Sequence, residues 1–142
     1  MNIRLAATDS EILACFPVMK ELRPDLVELE FVAKIRALQQ RGFMLAYLEV
    51  SGSPVAVTGF RVGESLAWKQ YLYVEDLVTL ESDRSKGYGK VLLDWLADYA
   101  KQNGCIQFHL DSGVQRIEAH RFYEREGMQK TSLHFAKHIS FV

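Results

Sequence analysis

Arg84-Ser85-Lys86-Gly87-Tyr88-Gly89 sets two cations and two glycines where the following residues predict the start of a helix. Glycines at such a junction let the backbone fold into a nest of N–H groups, and the helix N-terminus adds partial positive charge, so the pair makes a site for phosphate oxygens. Arg84 and Lys86 would add full charges. Taken alone, the hexapeptide is equally well explained as a glycine-rich strand-to-helix turn with solvated basic residues. Spacing removes two other phosphate motifs: no G-x-x-x-x-G-K-[ST] occurs, and Leu92 stands where a dinucleotide fingerprint needs its third glycine.

A second chemical segment is Ala119-His120-Arg121-Phe122-Tyr123-Glu124-Arg125-Glu126-Gly127. On a helix, Arg116, Ala119 and Tyr123 share one face, which then carries a charge, a gap for a ligand and a hydroxyl. Packing of Phe122 and Tyr123 in the core explains the same pattern. Glu75 and Asp76 are consecutive on a predicted strand and so are expected on opposite faces, with at most one reaching a given cleft. Glu75 is the candidate general base, against a salt bridge or strand-edge charge as the plainer explanation. His109 and Asp111 are weaker candidates.

Cys15 and Cys105 each fall in an apolar stretch, outside any C-x-x-C pair, and are expected to be buried reduced thiols. The four histidines form no H-E-x-x-H, so no metal is expected.

Several elements must position these residues. Asn2 to Ala6 alternates like an edge strand, and Thr8-Asp9-Ser10-Glu11 is a capping box that opens a helix. Pro17 should kink that helix, and Arg23-Pro24 should end it. A second helix is expected from Val27 to Gln40. Phe43 to Val50 and Val55 to Val62 read as a hairpin across Ser51-Gly52-Ser53-Pro54, and Tyr71 to Thr79 as the ordered core of a further strand. Val91, Leu92, Trp95, Leu96 and Tyr99 form the apolar stripe of the clearest helix, which Asn103-Gly104 ends. A strand from Cys105 to Asp111, a helix from Gln115 to Glu126 and a last strand from Lys130 to Ile139 complete the order βααβββαβαβ. This is an α/β (α+β) fold in one domain spanning 1–142. It has a mostly antiparallel sheet, four helices and one β-α-β crossover whose strands run parallel.

Strand, R-x-x-G-x-G, amphipathic helix, strand, then A-x-x-F-Y-E-R-x-G resembles the GNAT superfamily of N-acetyltransferases, most specifically from Leu77 to Met128. The resemblance implies transfer of an acetyl group from acetyl-CoA to a primary amine, with the parallel strands splaying to hold the donor. Leu77, Val78 and Thr79 would contact the pantetheine arm. Arg84, Ser85, Lys86, Gly87, Tyr88, Gly89 and Lys90 would take the phosphates, with Arg116 a further contact from the later helix. Tyr123 occupies the position of the tyrosine that protonates the departing thiolate. Ser85 replaces a common glycine, Glu81 a common proline, and Arg116 a common asparagine. A CoA-binding sensor or interaction module of the same fold is the alternative.

Length, 142 residues with 49% apolar and 25% charged, leaves room for one core. A net charge of -1 with interleaved signs offers no surface for nucleic acid, and no run reaches the length of a membrane helix. Met1 to Glu11 lacks a signal pattern, so a cytoplasmic protein is expected. Asp25, Glu28 and Glu30 cluster between two helices on the side that borders the acceptor in the superfamily. They suit a cationic amine, either a small molecule or a peptide lysine, and are equally accounted for as a solvated acidic loop. The short tail after Gly127 leaves room for one strand, so a second subunit, in a homodimer, is expected to complete the acceptor pocket.

Overall fold

Thr8 begins the helical part of the chain as its sequence predicts. Its Oγ1 accepts the Glu11 N–H at 3.1 Å while Glu11 Oε1 accepts the Thr8 N–H at 2.9 Å, so two orphan donors of the first turn are satisfied reciprocally. The computed structural model, which describes residues 1–140, divides the expected first helix into α1 (Asp9–Ala14) and α2 (Phe16–Leu22), with Cys15 between them. Pro17 is the cause: it has no N–H to give the preceding turn and is tolerated only at the start of a new helix, where it stands. With α3 (Glu28–Gln39), the N-terminal part carries three helices rather than two.

The sheet is built from β1 (Asn2–Leu5), β2 (Met44–Val50), β3 (Ser53–Ser65), β4 (Lys69–Thr79) and β5 (Gln107–Leu110). They lie side by side in chain order, antiparallel except for the β4–β5 pair. The hairpin is tighter than the sequence suggests: Val50 pairs with Ser53, and Ser51 and Gly52 turn alone, both in the left-handed region that a two-residue turn requires. Between β4 and β5 runs α4 (Tyr88–Gln102), ended by Asn103, whose Nδ2 donates to Tyr99 O at 2.8 Å, and by left-handed Gly104.

Strand alternation sends side chains to two cores. Leu45, Tyr47 and Val57 pack with Ile12, Val18, Phe31 and Ile35 of the first three helices, whereas Ala46, Phe60 and Leu72 pack with Leu96 and Ala100 of α4. A bulge in β4 switches this parity. Gly59 pairs with Asp76 and Phe60 with Val74, leaving Glu75 as the extra residue. Before it, Leu72 and Val74 face α4; after it, Val78 belongs to the opposite core. Gly59 is required there, because a Cβ would lie 2.4 Å from Phe43 and 2.5 Å from the Asp76 carboxylate.

Residues from Asp111 onward form a second unit. It holds α5 (Ile117–Arg125), which ends before Gly127 at φ 91°. The mixed sheet with one parallel pair is as expected, but the strand predicted from Lys130 to Ile139 is not formed. Gln129 to Ser140 is exposed and belongs to no helix or strand. Its alternation is that of a strand; a strand also needs a neighbour's backbone, and among the described residues it has none.

Candidate active site

β4 outruns its parallel neighbour. Pairing runs from Tyr71–Gln107 to Val74–Leu110, where β5 stops, so from Glu75 to Thr79 the outer edge of β4 has no strand beside it among the described residues. On the inner side Leu77, Val78 and Thr79 stay paired to Thr58, Val57 and Ala56, which holds this stretch in the sheet. The chain then passes through a 3-10 turn, Glu81–Asp83, to Gly87, the N-cap of α4.

Gly87 has φ 84°, a conformation that costs any other L-residue, and a Cβ built on it meets no atom within 4 Å. The space before the helix is therefore open. The first i to i−4 bond of α4 is Val91 N–H to Gly87 O at 3.2 Å, so the amides of Tyr88 and Gly89 lie in the turn that has no acceptor within its own helix. Ser85 is also left-handed, at φ 65°, which accounts physically for a glycine being common there. Arg84 and Lys86 stand beside this turn, more than half exposed, Lys86 bonded to Asp83 at 3.0 Å and Arg84 reaching Glu21 at 3.9 Å. Glu21 also accepts the Glu81 N–H at 2.9 Å, tying the loop to α2. Lys90 pairs with Asp94 one turn along α4.

The acid pair departs from expectation. Glu75 and Asp76 do not face opposite sides, because the bulge at Glu75 lets consecutive side chains turn the same way. Glu75 is bonded to Arg61, whose guanidinium also lies over Phe43, a residue of the core beneath the first three helices. Asp76 Oδ1 accepts from Arg23 Nε at 2.9 Å, and Arg23 Nη2 donates to Glu75 O at 3.0 Å. Burial pushes the Asp76 carboxyl above its ordinary range, Arg23 holds it down, and the Glu75 charge adds a small upward push. Arg23 and Arg61 were missed in the sequence. Arg23 reads there only as a helix end before Pro24, and its partner lies 53 residues away.

In the second unit Arg116 is the N-cap of α5, and Tyr123 stands two turns later. Burial pushes the Tyr123 hydroxyl up and Arg116 pulls it slightly down, so the side chain stays protonated at neutral pH. His120 Nε2 meets Gly113 O at 2.7 Å and closes the turn that leads into the helix.

The α2–α3 connection forms the wall of a cavity of about 540 Å³. Arg23, Asp25, Glu30 and Lys34 line it over an apolar floor that includes Leu26 and Phe31, whereas Glu28 is not part of the wall. Lys20 Nζ donates to Pro24 O and Leu26 O, each at 2.6 Å, so the connection is braced. Cys15 is buried, and burial pushes its thiol up to about 12, which removes it as a nucleophile; Cys105, partly buried, is shifted the same way.

A β-α-β crossover whose strands part over a glycine turn at a helix N-terminus defines an acyltransferase fold. Residues 6–128 match the model of the Acetyltransferase (GNAT) family, and the chain belongs to that family. It is 33% identical over 141 residues, 98% of this chain and 99% of the relative, to the uncharacterised N-acetyltransferase YhdJ of Bacillus subtilis. A putative acetyltransferase of Agrobacterium tumefaciens superposes with a TM-score of 0.84 at 26% identity, covering 98% of this chain and all of that one. The structure of AAC(6')-Iy in complex with the bisubstrate analogue CoA-S-monomethyl-acetylneamine superposes at 0.82, covering 99% and 98% of the two chains, and at 15% identity attests the fold alone. The protein is an N-acetyltransferase. Among the described residues, no helix is long and apolar enough to cross a membrane, and no three of His, Cys, Asp and Glu gather as metal ligands.

Proposed function

We propose that this chain moves an acetyl group from acetyl-CoA to a primary amine by direct attack, with both substrates held at once. The observation that carries the proposal is that the edge of β4 from Glu75 to Thr79, with no strand beside it among the described residues, leads through the Glu81–Asp83 turn to left-handed Gly87 and the first turn of α4. An extended pantetheine arm finds strand-like hydrogen bonds on such an edge at Leu77, Val78 and Thr79. The amides from Gly87 to Lys90 then receive the diphosphate, with Arg84, Ser85 and Lys86 around it, and Arg116 supplies a further contact from α5. The open space at Gly87, which any Cβ would enter, fits a ligand that approaches the backbone.

Tyr123, kept protonated, gives its proton to the departing thiolate, and Glu75 takes one from the incoming amine. Holding donor and acceptor together removes the entropy of their encounter, worth roughly 7–11 kcal/mol in well-oriented systems. In the braced cavity Asp25 and Glu30, which stand beside Arg23 and Lys34, offer carboxylates to an acceptor amine, a small molecule or a peptide lysine. The family match crosses from the first unit into the second, which supports residues 1–142 working as one acyltransferase domain. A cytoplasmic location and a homodimer complete the proposal.

Calorimetric titration with acetyl-CoA, free CoA and NADH tests it. The expected result is binding of both CoA species in the micromolar range, no NADH signal, and thiol release once an acceptor amine is added. Absence of binding by either CoA species would overturn the proposal.

A further inference from the structure

We propose that the acceptor is a free diamino acid, held in the cavity of the α2–α3 connection by its α-ammonium and carboxylate, with its side-chain amine presented to the bulge of β4. The inference rests on the acetyl transfer proposed above and names its acceptor. Arg23, Asp25, Glu30 and Lys34 are the charged side chains of this cavity, and only the first is spent within the protein. Arg23 Nε donates to Asp76 Oδ1 at 2.9 Å and Nη2 to Glu75 O at 3.0 Å, so the Asp76 carboxylate balances its charge. Glu30 precedes Lys34 by one turn of α3, the spacing and order at which a glutamate and a lysine pair along a helix. They are not paired with each other, and among the described residues neither they nor Asp25 has an ion-pair partner. Two carboxylates and one ammonium are thus left lining a space of about 540 Å³, the size of a small-molecule site.

Charge complementarity then selects the ligand: it must bring two positive groups and one negative. A diamino acid at neutral pH is such a molecule. Its carboxylate meets Lys34, its α-ammonium meets Asp25 and Glu30, and its alkyl chain covers the apolar floor at Leu26 and Phe31. A plain diamine leaves Lys34 unanswered, and a lysine inside a peptide has neither a free α-ammonium nor a free carboxylate to offer. Arg23 supplies the direction. One side chain both lines the cavity and bonds the bulge at Glu75 and Asp76, so the cavity abuts the start of the β4 edge on which the pantetheine arm is proposed to lie. The side-chain amine gives its proton to Glu75 and forms the C–N bond as the C–S bond breaks. The thiolate takes the Tyr123 proton, and the products are a diamino acid acetylated on its side-chain nitrogen and free CoA.

Calorimetric titration of the full chain with L-lysine, L-ornithine, lysinamide and cadaverine, each with and without free CoA, tests this beside thiol release from acetyl-CoA with the same amines. L-Lysine or L-ornithine is expected to bind about tenfold or more tightly than lysinamide and cadaverine, which lack the carboxylate, and to show the higher kcat/KM. Mass spectrometry of the product should place the acetyl group on the side-chain nitrogen. Lys34→Met should abolish the preference by weakening amino-acid binding, whereas Lys34→Arg, which keeps the charge, should retain it. Equal binding of lysine and lysinamide, a preference unchanged in Lys34→Met, acetylation of the α-nitrogen, or faster turnover of a lysine peptide blocked at both ends overturns the proposal. CoA binding with no binding of either diamino acid overturns it too, and leaves the enzymatic proposal standing. Amino-acid preference without CoA binding would instead support this site and strike the enzymatic proposal, so the two failures are distinct.

Discussion

Arg23 and Asp76 are joined at 2.9 Å across 53 residues of sequence, and through this pair the end of α2 is fastened to the bulge of β4. The carboxylate side chain is only 13% exposed, and its raised pKa records that burial outweighs the help of the arginine. A carboxyl whose folded pKa is raised gives stability that is complete at low pH and is lost as pH rises through that value. Arg23→Ala should therefore destabilise the protein by about 1–3 kcal/mol at neutral pH, the cost of a buried group left without its partner. The loss should shrink in acid, where Asp76 is protonated. Thermal unfolding of wild type and variant at neutral pH and at successively lower pH checks both sign and trend; a difference that grows toward acid would contradict it.

Ser85 and Gly87 are both left-handed, and only one of them is a glycine. Gly87→Ala adds a Cβ that meets nothing but must hold φ 84°, a strain of about 1 kcal/mol. Ser85→Gly removes the same strain, offset in part by the greater freedom of glycine in the unfolded chain. The two substitutions should move the melting temperature in opposite directions. In the affinity for CoA, Gly87→Ala should weaken binding while Ser85→Gly leaves it equal or tighter, as titration of both variants would establish.

The local signals read correctly are those whose physics is local. Thr8 and Glu11 satisfy each other across three residues, Gly87 and Gly104 mark helix ends, and the stripe of α4 lies within one element. What failed depends on partners distant in the chain. The pairing of Gly59 with Asp76 produces the bulge that turns Glu75 and Asp76 toward two arginines, and alternation along β4 alone gave the opposite faces. Lys130 to Ile139 has the alternation of a strand, but membership of a sheet is a property of two strands, and a single pattern cannot supply the second.

Glu11 has an environment opposite to that of Asp76. Bonds from the Thr8 and Ala7 amides, and then from Tyr47 Oη, lower its pKa to about 2. Its folded pKa is depressed, so the stability it contributes is present above the ordinary carboxylate range and is lost as pH falls from there toward 2. Glu11→Gln should lower the melting temperature at neutral pH and flatten its dependence on pH through the acid range, bringing variant and wild type together at the acid end. Parallel curves in that window would show that the capping box does not carry this charge effect.

Cys15 and Tyr123 divide the two routes an acetyl group could take. A ping-pong route needs a thiolate, and a buried thiol with a pKa near 12 is almost wholly protonated at neutral pH. Direct transfer needs instead an acid for the leaving sulfur, the role proposed above for Tyr123, whose hydroxyl burial keeps protonated. Cys15→Ala should accordingly leave kcat within about twofold while costing about 1–2 kcal/mol of stability through the small cavity it creates between α1 and α2. Tyr123→Phe should lower kcat by about a hundredfold or more with CoA affinity preserved, the scale of a lost general acid. Steady-state rates against both substrates give the discriminating pattern: intersecting lines for a ternary complex, parallel lines for an acetylated enzyme. Parallel lines, together with inactivity of Cys15→Ala, would reverse the assignment.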